Sequence, residues 1–467
     1  MSDMIFKLDD KPPAPQAFFA GLQHLMAIFV GIITPPIIIS GALGLDVHQS
    51  SFIISMALFA SGISTFIQVK KFGPIGSGLL SIQGTSFTFL GSVIAAGLAV
   101  KAGGGTVEAA LATIFAVCFL GSFVEMIFSR FIPLLKKIIT PLVSGIVVTL
   151  IGMSLIRVGI IDIGGGAYVK ANVPDAFASL QNLGLAAIVL IVIVALNRSK
   201  NNFIRMGAIF IGLLVGYIVA AIMGKVDFSR LADVAIIQAP IPLRYGLGNI
   251  NWGVLGGSLI PFMLLYLITT VESIGDLTAT SMISGEPIEG ELYMKRISGG
   301  VLGDGVNSAI AAIFNSFPNT TFSQNNGVIQ MTGVASRFVG FWIAGMLVVV
   351  GLFPIVGGVF SIIPASVLGG ATIIMFGTVA AAGIRIIASS TIDRRGVLIM
   401  AISFGLGLGV SFVPEITRNF SPVMKSIFSS AITTGGLTAI LLNIVLPRSL
   451  RKQKVGNPPS TGYEDVN

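Results

Sequence analysis

Stretches of about 20 apolar residues recur along the chain and are separated by short polar breaks. A helix of about 20 apolar residues crosses the hydrocarbon core of a bilayer, where helices and closed barrels alone satisfy their backbone polar groups. Charged residues make up 10% of the 467 positions, whereas soluble domains carry about 25%. The sequence therefore predicts an all-α polytopic membrane protein.

The apolar stretches predict fourteen transmembrane segments. We expect these spans at 17–39, 50–69, 76–98, 107–129, 138–157, 182–197, 203–223, 253–275, 297–316, 320–335, 337–359, 366–388, 396–412 and 426–446. The residues ahead of the first span contain no apolar core, so they do not resemble a cleaved signal peptide. The first span should therefore direct insertion.

The basic residues support this count and orient the chain. With the N-terminus in the cytoplasm, twenty of the 28 Lys and Arg residues fall on the cytoplasmic side and eight fall outside. The cytoplasmic set is Lys7, Lys11, Lys70, Lys71, Arg130, Lys136, Lys137, Arg198, Lys200, Arg205, Lys295, Arg296, Arg337, Arg385, Arg394, Arg395, Arg448, Arg451, Lys452 and Lys454. This positive-inside bias explains the net charge of +8 without a nucleic-acid partner, and it predicts that both termini are cytoplasmic.

Fourteen spans divide into two sets of seven, and an odd-numbered repeat must have opposite orientations in its two copies. Weak self-similarity supports such inverted repeats. The segment 139–145 reads ITPLVSG at the fifth span, and the segment 363–369 reads IPASVLG at the twelfth. A second glycine follows the last glycine of each segment at the same spacing, at Gly159 and at Gly383.

Spans 3 and 10 both begin with sequence that forms helices poorly. Segments 76–87 and 319–327 are rich in Gly, Ser, Thr and Asn, which favour extended or irregular backbone. Such backbone is tolerated at membrane depth only where protein buries it or where it lines a water-filled cavity. Interrupted spans at corresponding positions in two halves indicate the substrate site of a transporter.

Two carboxylates lie in the predicted eighth span. Glu272 and Asp276 are spaced i, i+4, so both should face the same side of a helix. A carboxylate at the bilayer centre costs roughly 2.5 to 3.5 kcal/mol, so we expect these groups to bind a ligand N–H or to exchange a proton. The alternative is that they lie at a helix end and meet water.

Three further polar residues interrupt apolar sequence. Asp304 lies between two glycines, and it is a candidate for the transport mechanism or for structural pairing with nearby polar groups. Glu125 lies close to Arg130 and is expected to be an interfacial anchor rather than a site residue. His24 interrupts the first span, where a lone histidine is more often an interior hydrogen-bonding group than a ligand.

The interrupted spans also carry groups that suit a flat solute. Gln324 and Asn325 offer amide donors and acceptors, and Phe87 offers an apolar ring. Together with a carboxylate, they would bind a planar molecule with N–H and C=O edges, such as a nucleobase. Two separated histidines and the single Cys118 make a zinc site improbable, and we find no phosphate loop or nucleophile–base pair. We expect neither an enzyme nor a cofactor.

The run from Gln324 to Gly333 resembles the signature of the nucleobase–ascorbate transporters, also called the nucleobase cation symporter-2 family. The matching positions are Gln324, Asn325, Gly327, Thr332 and Gly333, joined by Gln23, His24, the segment 78–83, Glu272 and Asp276. The resemblance covers residues 5 to 447 and is strongest to the bacterial xanthine permeases of that family.

This resemblance implies a core domain, a gate domain, import coupled to protons, and a homodimer in a bacterial inner membrane. The implied divisions are tails at 1–16 and 448–467, core halves at 17–130 and 253–360, gate halves at 131–225 and 361–447, and an outer loop at 226–252. The implied substrate contacts are hydrogen bonds from Glu272 and Gln324, a ring contact from Phe87 and backbone groups near Ser323. Asp304 and Asn325 would be essential to the mechanism or affinity, and His24 and Asp276 would support the site.

Two positions, Ser86 and Gly333, bear on substrate selectivity and favour different substrates. Some xanthine-specific members have Asn where this chain has Ser86, and the smaller side chain would admit a bulkier ring such as urate. Gly333 is similar to the bacterial xanthine group, because eukaryotic urate and xanthine carriers usually have Arg there. The alternatives are a urate or broader purine and uracil symporter, a sulfate-type anion transporter of the same architecture, and a passive channel or receptor.

Overall fold

The structure is a computed structural model that describes residues 4–135, 138–390 and 392–447. The helices are α1 Ala14–Leu43, α2 Val47–Lys70, α3 Leu90–Ala102, α4 Val107–Phe128, α5 Ile132–Leu135, α6 Pro141–Ile163, α7 Ala167–Asn172, α8 Leu180–Asn197, α9 Asn202–Met206, α10 Ala208–Ile222, α11 Trp252–Ile283, α12 Gly290–Ile313, α13 Gln324–Thr332, α14 Arg337–Gly351, α15 Pro354–Ser361, α16 Ala365–Ala388, α17 Arg394–Phe412, α18 Pro422–Phe428 and α19 Ala431–Val445. Two strands, β1 Gln83–Thr85 and β2 Asn319–Thr321, and short 3-10 turns, including Phe87–Phe89 and Ser129–Phe131, complete the described elements. The predicted tail at 448–467, with its basic residues, and the predicted cytoplasmic residues Lys136 and Lys137 lie outside the described residues.

Helix ends coincide with local sequence signals. The Asp46 carboxylate accepts a hydrogen bond from the Gln49 backbone amide at 2.7 Å, and the Gln49 side-chain oxygen accepts one from the Asp46 backbone amide, so a capping box starts α2. Proline occupies the first position of α6, where its missing N–H costs nothing. Gly44 ends α1 with a φ of +66°, a conformation that glycine adopts without strain.

Each of the fourteen predicted segments contains a helix. Within the described residues, eight helices are long and apolar enough to cross a bilayer, and nine spans result if the bent pair α14 and α15 counts as one. The other predicted segments correspond to the shorter apolar helices α3, α10 and α19, to α12 with its charged start, and to the interrupted segment that contains α13. The protein is a multi-pass membrane protein.

The predicted span 337–359 is not one continuous helix. The chain bends by 77° between α14 and α15. Pro354 starts α15, and the residue before a proline is disfavoured in the helical conformation; Phe353 accordingly has φ −111° and ψ 86°. The sequence prediction placed this segment correctly but missed the bend, because the residues on both sides of it are apolar.

The helices form two groups. In the first, α1 to α4 pack against α11, α12 and α14, with α2 against α14 and α4 against α12. In the second, α6 packs along α16, flanked by α8, α10, α17 and α19. Exposed apolar side chains such as Ile191, Ile218 and Leu441 lie on the outside of the second group, as expected for contact with lipid.

Glycines allow α6 and α16 to approach closely. A Cβ atom at Gly145 would lie 2.8 Å from the Gly383 carbonyl oxygen, and one at Gly383 would lie 2.8 Å from the Gly145 oxygen. Gly159 faces Ile373 farther along the pair. The start of one helix thus meets the end of the other, so the two self-similar segments pack antiparallel.

The interrupted starts of spans 3 and 10 contain extended backbone, as predicted, and the structure shows in addition that they pair with each other. Strands β1 and β2 are antiparallel, with Gly84 opposite Thr320 at the centre of the register. All six strand residues are buried. A side chain at Gly84 would collide with the Phe322 ring, so glycine is required where the strands meet the neighbouring helices.

The segment before α1 is docked rather than free. The amides of Ile5 and Phe6 donate to the Gly333 carbonyl at 2.8 and 3.2 Å. The Arg337 amide donates to the Leu8 carbonyl at 2.9 Å, and Leu8 is buried. The described part of the predicted N-terminal tail therefore lies against the end of α13 and the start of α14.

Candidate functional site

The strand pair organises the candidate site at the centre of the first helix group. After β1 the chain enters the 3-10 turn Phe87–Phe89 and then α3, and after β2 it enters α13 at Gln324. Both β1 and β2 lie against neighbouring helices, β1 against α1 and α2 and β2 against α11 and α12. The arrangement brings residues from both halves of the chain to one place.

Glu272 and Asp276 are both buried inside this centre. Helix α11 continues to Ile283, so neither carboxylate lies at a helix end in water, and that alternative is wrong. Glu272 accepts a hydrogen bond from the Thr88 hydroxyl at 3.2 Å. Thr88 follows Phe87 in the turn after β1, so Glu272 of α11 is linked directly to the third span.

Asp276 connects α11 to the tenth span. Its carboxylate accepts a hydrogen bond from the Ser323 hydroxyl at 2.8 Å and another from the Thr321 hydroxyl at 3.2 Å. On the next turn of α11, Thr280 donates to the Asn326 side chain at 2.7 Å. These bonds fix α13 against α11; the supporting role of Asp276 in the site stays a prediction.

Asp304 of α12 is fully buried and paired. Its two carboxylate oxygens accept hydrogen bonds from the Gln68 amide at 2.5 Å and from the Ser273 hydroxyl. The Gln68 side chain also donates to the Gly300 carbonyl and accepts from the Ser77 amide. Structural pairing, one of the two sequence interpretations, is therefore present; a role in the mechanism stays a prediction.

His24 and Asn325 are buried neighbours in a second polar region. Asn325 donates its side-chain amide to the Leu80 carbonyl at 2.5 Å, which ties α13 to the segment before β1. His24 of α1 is fully buried beside Asn325. The fold therefore places His24 and Asn325 next to each other, although 301 positions separate them in the sequence, and it buries both away from water.

The remaining predicted residues surround the same centre. Gln324 and Ser323 are half-buried at the start of α13. The Phe87 ring is buried and meets the Phe376 ring of α16 edge-on, with centroids 5.4 Å apart. Ser86 is buried, its amide donates to the Pro318 carbonyl at 2.8 Å, and its hydroxyl has no partner among the described residues.

A large cavity lies between the two helix groups. Its volume is about 1320 Å³, and Phe87, Thr88, Asp162, Phe262 and Ala365 are among its lining residues. Of the predicted site residues only Phe87 lines it. Glu272 stands behind Thr88, one hydrogen bond from the cavity wall. A solute entering the cavity would reach the site at the turn after β1.

The sequence prediction was wrong about Glu125 and did not identify two polar partners, Gln68 and Thr88. Glu125 was expected at the membrane interface but is fully buried, because α4 packs against both α11 and α12. Gln68 and Thr88 were not predicted as site residues. They are polar, yet no local pattern connects Gln68 with Asp304 or Thr88 with Glu272 across the long sequence separations.

Comparison with known protein sequences identifies the family of this chain. Residues 15–416 match a permease family model, the family of the nucleobase–ascorbate transporters. The chain belongs to this family of membrane transport proteins. It is 49% identical over 447 residues to the xanthine permease XanP of Escherichia coli K12, covering 96% of this chain and 95% of that protein.

Two other relatives match along nearly the whole chain. The xanthine permease XanQ of Escherichia coli K12 is 47% identical over 468 residues, covering 100% of this chain and 98% of that protein. The uric acid permease PucJ of Bacillus subtilis is 34% identical over 442 residues, with 94% of each chain covered. These relatives are named as permeases, and this protein is a transporter rather than an enzyme.

Solved structures share the fold at low sequence identity. The transmembrane domain of the cyanobacterial bicarbonate transporter BicA has a TM-score of 0.58 and 14% identity, covering 94% of this chain and all of that one. SLC26A9 has a TM-score of 0.56 and 14% identity, covering 91% of this chain and 64% of that one. This likeness concerns the fold alone.

Proposed function

We propose that the protein carries xanthine or a related purine across a bacterial inner membrane by alternating access, with import coupled to protons. The observation that carries the substrate class is the full-length similarity to two xanthine permeases. The position of Glu272 supports it physically. A buried carboxylate one hydrogen bond behind a cavity wall is suited to accept the N–H groups of an uncharged heterocycle.

The site would bind the flat ring through complementary edges. Glu272 would accept N–H groups, while the Gln324 amide would pair with a carbonyl or ring nitrogen. Phe87 would contact the ring face, and backbone groups near Ser323 would add hydrogen bonds. Ser86, whose hydroxyl has no partner among the described residues, lies at the same turn and would limit the size of the ring.

We assign fourteen spans in two inverted repeats to the transporter. The contacts support this assignment. Exchanging spans 1–7 with spans 8–14 converts the contact of α2 with α14 into the contact of α4 with α12, and it maps the contact of α6 with α16 onto itself. The first helix group would form the core domain and the second the gate domain. Both termini would be cytoplasmic, and by family resemblance the protein would be a homodimer.

Proton coupling would supply enough energy for accumulation. One proton moving down a membrane potential of 100 mV releases about 2.3 kcal/mol, which corresponds to a concentration ratio of roughly fifty. Asp304, Asp276, Asn325 and His24 surround the substrate region and are the candidates for supporting this step. Glu272 would serve both in binding and in coupling.

Two alternatives remain distinct from this proposal. The similarity to the uric acid permease favours urate as a second candidate substrate, and the small Ser86 side chain is compatible with it. The fold is also that of anion transporters. A buried carboxylate at Glu272 opposes sulfate, which carries two negative charges and has no N–H group to donate to the carboxylate, because like charges repel strongly where water is excluded.

The deciding experiment is uptake of radiolabelled xanthine by cells expressing the protein. Hypoxanthine, guanine, urate and uracil serve as competitors, labelled sulfate as a parallel substrate, and a protonophore as the test of coupling. We expect xanthine accumulation that the protonophore abolishes. Sulfate uptake without xanthine uptake would replace the purine proposal with the anion alternative.

A matched pair of variants tests the site in the same assay. Glu272→Gln should reach the membrane and lose at least about tenfold in uptake, because the amide replaces an acceptor by a donor. The exposed Glu289→Gln should behave as the unmodified protein does. Normal uptake by Glu272→Gln would refute the assigned role.

A further inference from the structure

Glu125 is a buried carboxylate that the proposed binding scheme does not use. It lies on α4 with 1% of its surface exposed. Neither of its oxygens accepts a hydrogen bond from the described residues. The Thr269 hydroxyl of α11 faces it, but that hydroxyl donates to the Tyr266 carbonyl at 3.1 Å. Burial of an ionised carboxylate without such partners is costly, so this position favours the protonated form.

Close packing sets Glu125 alongside Asp304. A Cβ atom at Gly305, the residue after Asp304, would lie 2.9 Å from the backbone nitrogen of Met126, the residue after Glu125. One turn earlier on α4, Gly121 lies against the Tyr266 ring of α11. Helix α4 is thus held against α11 and α12 on the face that carries Glu125.

The charged groups around Glu125 are acidic. Glu272 faces it from α11 and Asp304 from α12, and both interact with it electrostatically. The nearest basic residue along its own chain is Arg130, which is exposed in the turn after α4. On α3, the other helix packed against α4, Lys101 donates to the Leu43 carbonyl at 2.8 Å.

No described ion pair neutralises these acids. The ion pairs in the described parts of the chain are Lys295–Glu291, Arg296–Glu286 and Arg337–Asp9, none of which includes a carboxylate of this cluster. Repulsion among carboxylates in a region without water disfavours ionisation of all of them together, and this favours a proton on one of them. The hydrogen bonds decide which.

Asp304 and Glu125 have opposite surroundings. Asp304 accepts from Gln68 and Ser273, one donor for each of its oxygens, and this arrangement stabilises a carboxylate that carries charge. Glu272 accepts from Thr88 and is the proposed acceptor for substrate N–H groups. Glu125 has no such donor among the described residues, so it is the member of the cluster that best accommodates a proton.

We propose that Glu125 holds the coupling proton during transport, a role that rests on the proton coupling proposed above. Uptake of the proton from water forms one O–H bond on a Glu125 oxygen and removes one negative charge from the cluster. Release breaks that O–H bond and returns the proton to water on the other side of the membrane. Glu272 stays an acceptor for the substrate meanwhile, and it and Asp304 take part in coupling through their electrostatic interaction with Glu125 rather than by holding the proton themselves.

Glu125→Gln tests this role, because glutamine keeps the shape of the side chain and cannot exchange a proton. In proteoliposomes the variant should exchange internal for external xanthine at near-normal rates. It should fail to accumulate xanthine when a pH gradient is applied, and its uptake should lose the dependence on external pH. Glu108→Gln changes an exposed glutamate near the start of the same helix and should leave all three properties unchanged.

The outcomes separate the two proposals. Accumulation by the unmodified protein that persists after a protonophore would refute proton coupling itself. Protonophore-sensitive accumulation by the unmodified protein, together with the same accumulation and pH dependence in Glu125→Gln, would overturn the role of Glu125 alone. Loss of exchange together with accumulation in a folded variant would also overturn it, because it would show a structural role.

A second variant decides the question if Glu125→Gln does not reach the membrane. Glu125→Asp keeps an ionisable group but withdraws it by one methylene. We expect it to accumulate xanthine with a shifted dependence on external pH. An unchanged pH profile would overturn the proposal.

Discussion

The two helix groups are built from different kinds of contact. At the centre of the first group, buried carboxylates, amides and hydroxyls of α2, α11 and α12 bond to one another, as in the set Gln68, Ser273 and Asp304. Between α6 and α16, glycines bring two backbones together with few polar side chains. The first arrangement has hydrogen-bonding capacity that a substrate can use. The α6–α16 contact is a closely packed interface between two helix backbones.

This difference predicts which substitutions should impair transport and which should impair folding. A buried polar group is costly when its partner is lost, and it is sensitive to changes that preserve shape. A glycine contact is sensitive to added volume and indifferent to charge. Substitutions that preserve shape should therefore impair transport at the centre, whereas added volume should impair folding at the α6–α16 contact.

The largest effect is expected at Gly383. Gly383→Leu would drive a side chain into the backbone of α6 at Thr149 and Gly145, which should destabilise the protein by about 3 kcal/mol or more. The measurement is the yield and melting temperature of the purified protein in detergent. Gly377→Leu on the same helix is the control, because a Cβ atom there meets nothing within 4 Å. Equal melting temperatures for the two variants would remove the distinction between the regions.

The next largest effect is expected at Asp304. Asp304→Asn keeps the shape but turns an NH₂ group toward one of the two donors, Gln68 or Ser273, at a cost of about 1–3 kcal/mol. We expect xanthine uptake to fall at least about tenfold while most of the protein still reaches the membrane. Asp175→Asn, at an exposed position, should transport normally. Full activity of Asp304→Asn would mean that the polar centre tolerates a mismatched donor.

A smaller effect is expected at Thr88, which holds the Glu272 carboxylate from the cavity side. Thr88→Ala removes one hydrogen bond, worth about 1 kcal/mol, so the KM for xanthine should rise roughly fivefold. Thr88→Ser keeps the hydroxyl and should restore the KM. Kinetics of initial uptake rates test this pair, and the expectation fails if the two variants have the same KM.

The smallest effect on xanthine uptake is expected at Ser86, where selectivity should change instead. Ser86→Asn adds volume beside the strand pair and should exclude the larger urate ring while sparing xanthine. The measurement is the ratio of urate to xanthine concentrations that give equal competition. An unchanged ratio would show that the smaller side chain does not set the breadth of the site.

Much of this architecture could be predicted from local sequence. Runs of apolar residues predicted fourteen segments that each contain a helix, and the Gly, Ser, Thr and Asn content of segments 76–87 and 319–327 predicted the extended backbone of β1 and β2. Both signals are local, since each depends on the chain's own composition over 10 to 20 residues.

The partners of the buried acids could not be predicted in the same way. Gln68 and Asp304 meet only because α2 and α12 pack together, which one sequence does not reveal. Glu125 was misassigned because Arg130 nearby is typical of a membrane interface. The bend before Pro354 did have a local signal, the proline itself, but the apolar residues around it masked the helix end.

The docked segment at the start of the chain has a practical consequence for anyone tagging the transporter. Ile5 and Phe6 bond to Gly333, the residue that ends the helix carrying Gln324. An affinity tag fused directly ahead of these two residues would disturb the end of that helix through the hydrogen bonds to Gly333. A long flexible spacer, or a handle inserted in the exposed loop near Lys225, would leave substrate recognition undisturbed.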